Sequence, residues 1–128
     1  MSIKILCIED NKDNMTLITR LLQAGPYELI QARNGEQGVQ LAEQEHVDII
    51  LLDINLPDID GYEVARRLRN SIKRPALANV PVVAITANAM RGDDLKAIQA
   101  GCTHYMTKPI NISKFIECIE MISGAVDV

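Results

Sequence analysis

Tryptophan is absent from this chain of 128 residues, and aromatic residues make up only 3% of it. Stacking platforms for nucleic-acid bases are therefore not on offer, and the core must be aliphatic. A basic excess is missing as well: 13 Lys and Arg face 17 Asp and Glu, for a formal net charge of −4. An acidic domain is not drawn to a phosphodiester backbone or an anionic bilayer, so neither nucleic acid nor a membrane is expected as a partner. Long hydrophobic runs are lacking too. Ile49-Ile50-Leu51-Leu52 falls far short of a membrane span, and Met1 to Ile8 is too short for a signal peptide's apolar region before Glu9 and Asp10 interrupt it. The three cysteines, Cys7, Cys102 and Cys118, are odd in number and lack metal-binding spacing, so no disulfide framework is expected. A reducing, cytoplasmic setting follows. Cys7 lies in a strand-like run, where a thiol is ordinarily a small buried apolar group.

What remains is the composition of a globular domain, with 48% hydrophobic and 23% charged residues. No repeat, low-complexity tract or interdomain linker breaks the chain, so one domain is expected over residues 1–128, with its core between about 3 and 122 and no output domain. Two periodicities alternate along it. Short β-rich runs are predicted at Ile3 to Ile8, Tyr27 to Ala32, Val47 to Asp53, Pro81 to Ala87 and Thr103 to Met106. Helical spacing is predicted at Asn11 to Ala24, Gly35 to about Glu45, around Val64 and Leu68, at Asp93 to Ala100 before Gly101, and after Asn111, with Ile112, Phe115, Ile116 and Ile119 on one face. Asn34 with Gln37, and Asp60 with Glu63, have the spacing of capping boxes. The stretch from Arg69 to Asn79, holding Pro75, is the loosest connection. Alternating strands and helices require crossover connections and hence a parallel sheet. Five βα units of this size suit an α/β, flavodoxin-like (βα)5 doubly wound sheet of strand order 2-1-3-4-5.

In such a sheet the reactive loops gather at the carboxyl ends of the strands, near the switch point between the first and third. Glu9 and Asp10 follow the first strand, Asp53 ends the third, Thr86 ends the fourth, and Lys108-Pro109 follows the fifth. Crowded carboxylates repel one another and need compensation, which a hard cation such as Mg²⁺ supplies with few protein ligands. Asp10, with Glu9 beside it, is expected to hold the metal. A metal, an ammonium and a hydroxyl around one carboxylate suit a phosphoryl group, and Asp53 is the expected nucleophile on phosphorus. Each residue also has an ordinary reading. Asp53 alone would cap a turn, Glu9 and Asp10 suit a helix N-terminus, and Lys108 taken singly is a surface lysine. His46 and His104 read as surface residues.

Ile8-Glu9-Asp10-Asn11, Leu51-Leu52-Asp53-Ile54-Asn55-Leu56-Pro57 with Asp60-Gly61, Ile85-Thr86-Ala87 and Thr107-Lys108-Pro109 together resemble the receiver domain of two-component response regulators. The likeness runs from Ile3 to Ile122. It implies that Asp53 is the phosphoacceptor, and that Mg²⁺ is held by Asp10, Asp53 and the backbone carbonyl of Asn55, with Glu9 acting through water. It further implies that Lys108, the Thr86 hydroxyl and the Ala87 amide bind the phosphoryl oxygens, that Tyr105 is an aromatic switch, and that the Lys108–Pro109 bond is cis. Asn55 and Asn88 would flank the pocket and affect the lifetime of the phosphate.

The implied role is signalling, not enzymatic turnover beyond the domain's own phosphorylation and dephosphorylation. The donor would be a histidine kinase or histidine phosphotransfer protein docking on the first helix, where Asn14, Met15 and Ile18 suit either a mixed contact or, for the last two, the core. The output would be a downstream protein on the surface of the fourth helix, fifth strand and fifth helix, from Arg91 to Ile122. A stand-alone regulator is expected; the alternative is a receiver cut from a hybrid histidine kinase. A remoter rival, an Asp-nucleophile phosphohydrolase, would carry a second carboxylate two residues after its nucleophile as acid/base. Here that position is Asn55. A flavodoxin-like electron carrier would need a phosphate loop where Glu9-Asp10 repels anions.

Overall fold

The structure, a computed structural model, describes residues 2–87 and 92–126. Its elements are β1 (Ile3–Ile8), α1 (Lys12–Gln23), β2 (Tyr27–Ala32), α2 (Gly35–Gln44), β3 (Ile49–Asp53), α3 (Gly61–Arg69), β4 (Val82–Thr86), α4 (Asp93–Ala100), β5 (His104–Thr107) and α5 (Ile112–Val126), with a 3-10 turn at Pro75–Ala78. All strand pairings are parallel, in the order β2-β1-β3-β4-β5. The expected doubly wound topology is therefore observed.

The apolar runs of the central strands are unbroken because both sheet faces are covered. Side chains alternate between the faces. Ile5, Cys7, Ile49, Leu51, Val83 and Ile85 meet Met15, Ile18 and Leu22 of α1 and Phe115, Ile119 and Ile122 of α5. Leu6, Ile8, Ile50, Leu52, Val82 and Ala84 meet α2, α3 and α4 through small or branched residues such as Ala42, Val64, Leu68 and Ala97. Met15 and Ile18 thus belong to the core. Cys7 is buried as expected, and burial pushes its thiol pKa up, with the nearby carboxylates adding to the effect.

Local chemistry sets the helix ends. Asn11 and Asn34 accept from the N–H of Asn14 and Gln37, at 3.0 and 2.8 Å. The Gln37 carboxamide reaches back to the Arg33 N–H at 2.7 Å, one residue before the position a capping box specifies. Asp60 caps α3 through the Tyr62 N–H, whereas Glu63 turns along the helix to Arg66 and Arg67 instead of back to the cap. Gly101 ends α4 at φ 110°, a left-handed conformation that costs a side-chain-bearing residue more than glycine.

Several expectations need correction. β3 starts at Ile49 rather than Val47, β4 spans Val82–Thr86 rather than Pro81 to Ala87, and β5 starts at His104 rather than Thr103. Pro81 has no N–H to give the ladder. On α5, Phe115 and Ile119 are buried but Ile112 and Ile116 are 50% and 38% exposed. At 100° per residue the buried stripe runs through 115, 119 and 122, and Ile116 falls on its flank. The connection after α3 is anchored. The Arg69 guanidinium donates to the carbonyls of Gly101, Leu77 and Val80 at 2.8, 2.7 and 2.6 Å, and Leu77 is buried. His46 is exposed beside Asp48, but His104 is half-buried, its Nδ1 2.9 Å from Thr103 Oγ1. Arg91 and Asn88 lie outside the described residues. No helix among the described residues is long and apolar enough to cross a membrane.

Candidate phosphoacceptor site

Strand register builds the site. Ile8 of β1 is paired with Leu52 of β3, so Glu9 follows alongside Asp53. Asp53 is in turn paired with Ile85 of β4, and Thr86 with Thr107 of β5, which puts Thr86 and Lys108 one step farther along the same edge. Residues separated by as much as 99 positions thereby face one cleft. Gly61 lets the loop between β3 and α3 close over this edge: a Cβ there would lie 2.5 Å from Ile54 Cα and 2.8 Å from Asp53 O.

Glu9, Asp10 and Asp53 each offer a carboxylate oxygen within 4.8 Å of the others. Glu9 and Asp53 are each only 2% exposed, while Asp10 stands at the exposed mouth. Lys108 Nζ lies 3.2 Å from Glu9 Oε1 and 3.3 Å from Asp53 Oδ2. Its hydrogen bond goes to Glu9 Oε2 at 3.4 Å, which leaves the buried Oε1 without a hydrogen-bond partner among the described residues. The Asn11 N–H also donates to Oε2, at 3.2 Å, and the Asn55 N–H donates to Asp53 Oδ1 at 2.9 Å.

One ammonium facing three carboxylates leaves an excess of negative charge. Burial pushes the Glu9 carboxyl up to about 7, helped by hydrogen bonding to Asp53 and by its charge, against the opposing pull of the Asn11 N–H and Lys108. Desolvation works against the Lys108 ammonium, but Asp53 and Glu9 outweigh it and raise its pKa. A buried carboxylate oxygen that makes no hydrogen bond among the described residues and has the Lys108 charge beside it, within a donor set of three carboxylates, fits a hard divalent cation such as Mg²⁺.

Thr86 is buried at the rim, and Ala87 is exposed beside it. The Thr86 hydroxyl donates to Asn55 Oδ1 at 3.4 Å and the Ala87 N–H to the same oxygen at 3.2 Å. Asn55 was expected at the flank of the pocket; that its side-chain oxygen ties the Thr86 hydroxyl and the Ala87 amide together is what the structure adds. Tyr105 is half-buried against the cluster beneath α4. Desolvation and the nearby Asp93 and Asp94 raise its pKa. The Lys108–Pro109 bond is cis, as the resemblance implied. A groove of about 470 Å³ leads from Glu9 and Asp10 along α1, past Lys12, Thr16, Arg20 and Arg33.

This cleft, at the switch point of a (βα)5 sheet, defines a class, and the comparisons agree. Residues 5–120 match the model of the response regulator receiver domain, and the chain belongs to that family, as a receiver domain of a two-component system. It is 40% identical over 124 residues to the polar-differentiation response regulator DivK of Brucella ovis, covering 97% of this chain and 98% of that one. The DivK of Brucella anthropi is 41% identical over 120 residues, covering 94% and 95%. Among solved structures, the receiver domain of the sensor histidine kinase PA1611 from Pseudomonas aeruginosa is 33% identical, with TM-score 0.83 over 100% of both chains, and holds a magnesium ion in its active-site cleft. A CheY-like receiver domain from Methanospirillum hungatei shares the fold, with TM-score 0.87 at 22% identity over 99% of this chain and 98% of that one.

Proposed function

We propose that Asp53 accepts a phosphoryl group from a phosphohistidine on a histidine kinase or phosphotransfer protein, and that the modified domain signals by protein contact. The observation that carries this reading is the buried Glu9–Asp53 pair, joined by Asp10 at the mouth and faced by Lys108 at 3.2 to 3.3 Å. An Asp53 carboxylate oxygen forms the new O–P bond as the P–N bond to the donor imidazole breaks, and the imidazole takes up a proton as it leaves. Asp10, Asp53 and the Asn55 backbone carbonyl hold Mg²⁺, with Glu9 acting through water. Bound Mg²⁺ supplies charge neutralisation on the oxygens in transfer. The Lys108 ammonium stabilises the same charge from the other side. The Thr86 hydroxyl and Ala87 amide, which here share Asn55 Oδ1, turn to the phosphoryl oxygens.

That shift of Thr86 opens space for Tyr105 to turn inward and reshapes the α4–β5–α5 face, where Leu95 and Ile98 are 59% and 63% exposed. A downstream protein that prefers the altered face supplies the differential affinity a two-state switch needs. The groove along α1 receives the donor. A single-domain regulator is favoured because the alignment spans 98% of the DivK relative. A hybrid-kinase receiver is the second reading, favoured by the full-length match to the PA1611 receiver. Continuous hydrolysis is disfavoured because Asn55 offers no acid/base carboxylate.

Incubation with a small acyl phosphate and Mg²⁺, followed by intact-mass analysis, tests this. The protein is expected to gain one alkali-labile phosphoryl group and Asp53→Asn none; labelling of Asp53→Asn, or steady release of phosphate, overturns the assignment.

A further inference from the structure

The loop between β3 and α3 is held at two places. At its start the Asn55 side chain is tied to Thr86 and Ala87 of the β4 end. Three residues on, the Asp58 carboxylate crosses to α2, where Oδ1 accepts from the Gly35 N–H at 2.8 Å and Oδ2 from the Glu36 N–H at 2.9 Å. These are the first two amides of α2, and a carboxylate there meets both unsatisfied donors and the positive end of the helix dipole. Desolvation of the carboxylate acts in the opposite direction, yet the Glu36 and Gly35 N–H groups hold Asp58 below the usual carboxylate range.

Asp58 is not the N-cap residue of the helix. Asn34 already serves the third amide through Gln37 N, in the ordinary manner of an Asn cap. The surroundings are shaped for close approach of the loop instead. A Cβ at Gly35 would run into Ile59 Cγ1 and lie 2.9 Å from Ile59 Cδ1 and from Val64 Cγ2. Between the two anchors stand Leu56, packed on the core, and Pro57, whose ring fixes φ. The two anchors are thus separated by only two residues, one of them a proline.

We propose that Asp58 is a positioning residue for the phosphoacceptor pocket: by clamping the loop to the N-terminus of α2, it sets where Asn55 sits relative to Asp53, Thr86 and Ala87. The proposal rests on the reading of the cleft as a Mg²⁺-dependent phosphoacceptor site. It assigns α2, which contributes no side chain to the cleft, a share in the pocket's geometry. Groups that orient a metal's ligands without touching it change affinity by about 10- to 100-fold when removed.

The experiment compares wild type, Asp58→Asn, Asp58→Ala and Asn34→Ala by Mg²⁺ titration, and by amide hydrogen exchange in the metal-free protein. Asn34→Ala weakens the same helix end without touching the loop, so it reports the purely structural cost. Asp58→Ala is expected to weaken Mg²⁺ binding about tenfold and to speed exchange at the Asn55 and Ala87 amides, with Asp58→Asn intermediate and Asn34→Ala unchanged in both. Wild-type Mg²⁺ affinity and exchange in both Asp58 variants, beside a lowered melting temperature like that of Asn34→Ala, would reduce Asp58 to a helix cap and overturn the proposal. Absence of Mg²⁺ binding in the wild type would instead remove the underlying site reading, and the proposal with it.

Discussion

Glu9 carries the clearest consequence at the scale of single residues. Its folded-state pKa of about 7 lies above the usual 4.5, so between those values the folded protein retains a proton that the unfolded chain has released. The stability this group contributes is full below about pH 4.5 and is lost as pH rises through 7. Metal-free protein is therefore expected to melt progressively lower from pH 5 to pH 8, as read by thermal denaturation in chelator. Glu9→Gln removes the buried negative charge while Lys108 keeps Asp53 at 3.3 Å. At pH 8 without metal the variant is expected to be more stable by about 1–2 kcal/mol, and less stable than wild type if the Glu9–Lys108 pair outweighs the desolvation. Most individual residues of the pocket were legible in the sequence, because acidic and basic groups at strand ends are conspicuous. The role of Asp58 and the partners of the Asn55 side chain were not, since those partners lie 22 to 32 positions away and only the folded loops bring them together.

Elements were read with different success for a common reason. Strands covered on both faces are nearly all apolar, so β1 has the bounds expected from the sequence and β3 differs only at its first residues. The edge strand β2 also has the expected bounds, although its Glu28 and Gln31 are exposed. The face of α5 was harder, because a helix rich in isoleucine offers more apolar positions than the sheet can cover. Phe115 is 1% exposed and Ile116 38% exposed, although the sequence placed them on one face. Phe115→Ala is expected to cost about 3–5 kcal/mol in denaturant unfolding, and Ile116→Ala less than about 1 kcal/mol. Equal costs would mean that the two share the core after all. The connection after α3 departs from expectation in the opposite direction, loose by composition but anchored in the fold. Nothing in its composition reveals that Arg69 gathers three carbonyls from two other segments.

For the whole molecule, electrostatic frustration at the carboxyl end of the sheet is set against a core that is aliphatic but for Phe115, Cys7, Met15 and Cys102. Anything that binds the folded cleft and not the unfolded chain stabilises the fold by linkage. Millimolar Mg²⁺ is expected to raise the melting temperature of the wild type by several degrees, and Asp10→Ala is expected to lose most of that response. An unchanged response in Asp10→Ala would move the metal ligands elsewhere in the cleft. Because Asp10 is exposed at the mouth, the substitution leaves the core intact.

The alternation of apolar runs with helical spacing determined the class of fold by itself, since parallel strands buried on both sides admit few other arrangements. The order of Glu9, Asp10, Asp53, Thr86 and Lys108 along the chain also determined which strand ends would bring these polar groups to one cleft. Only the tertiary structure decided which buried oxygen is left without a hydrogen bond, which helix flank is covered, and that Asp58 ties the β3–α3 loop to the start of α2. Each of these depends on distances between segments far apart in sequence. Periodicity specifies which way a side chain faces along its own element, and not what it meets across the fold.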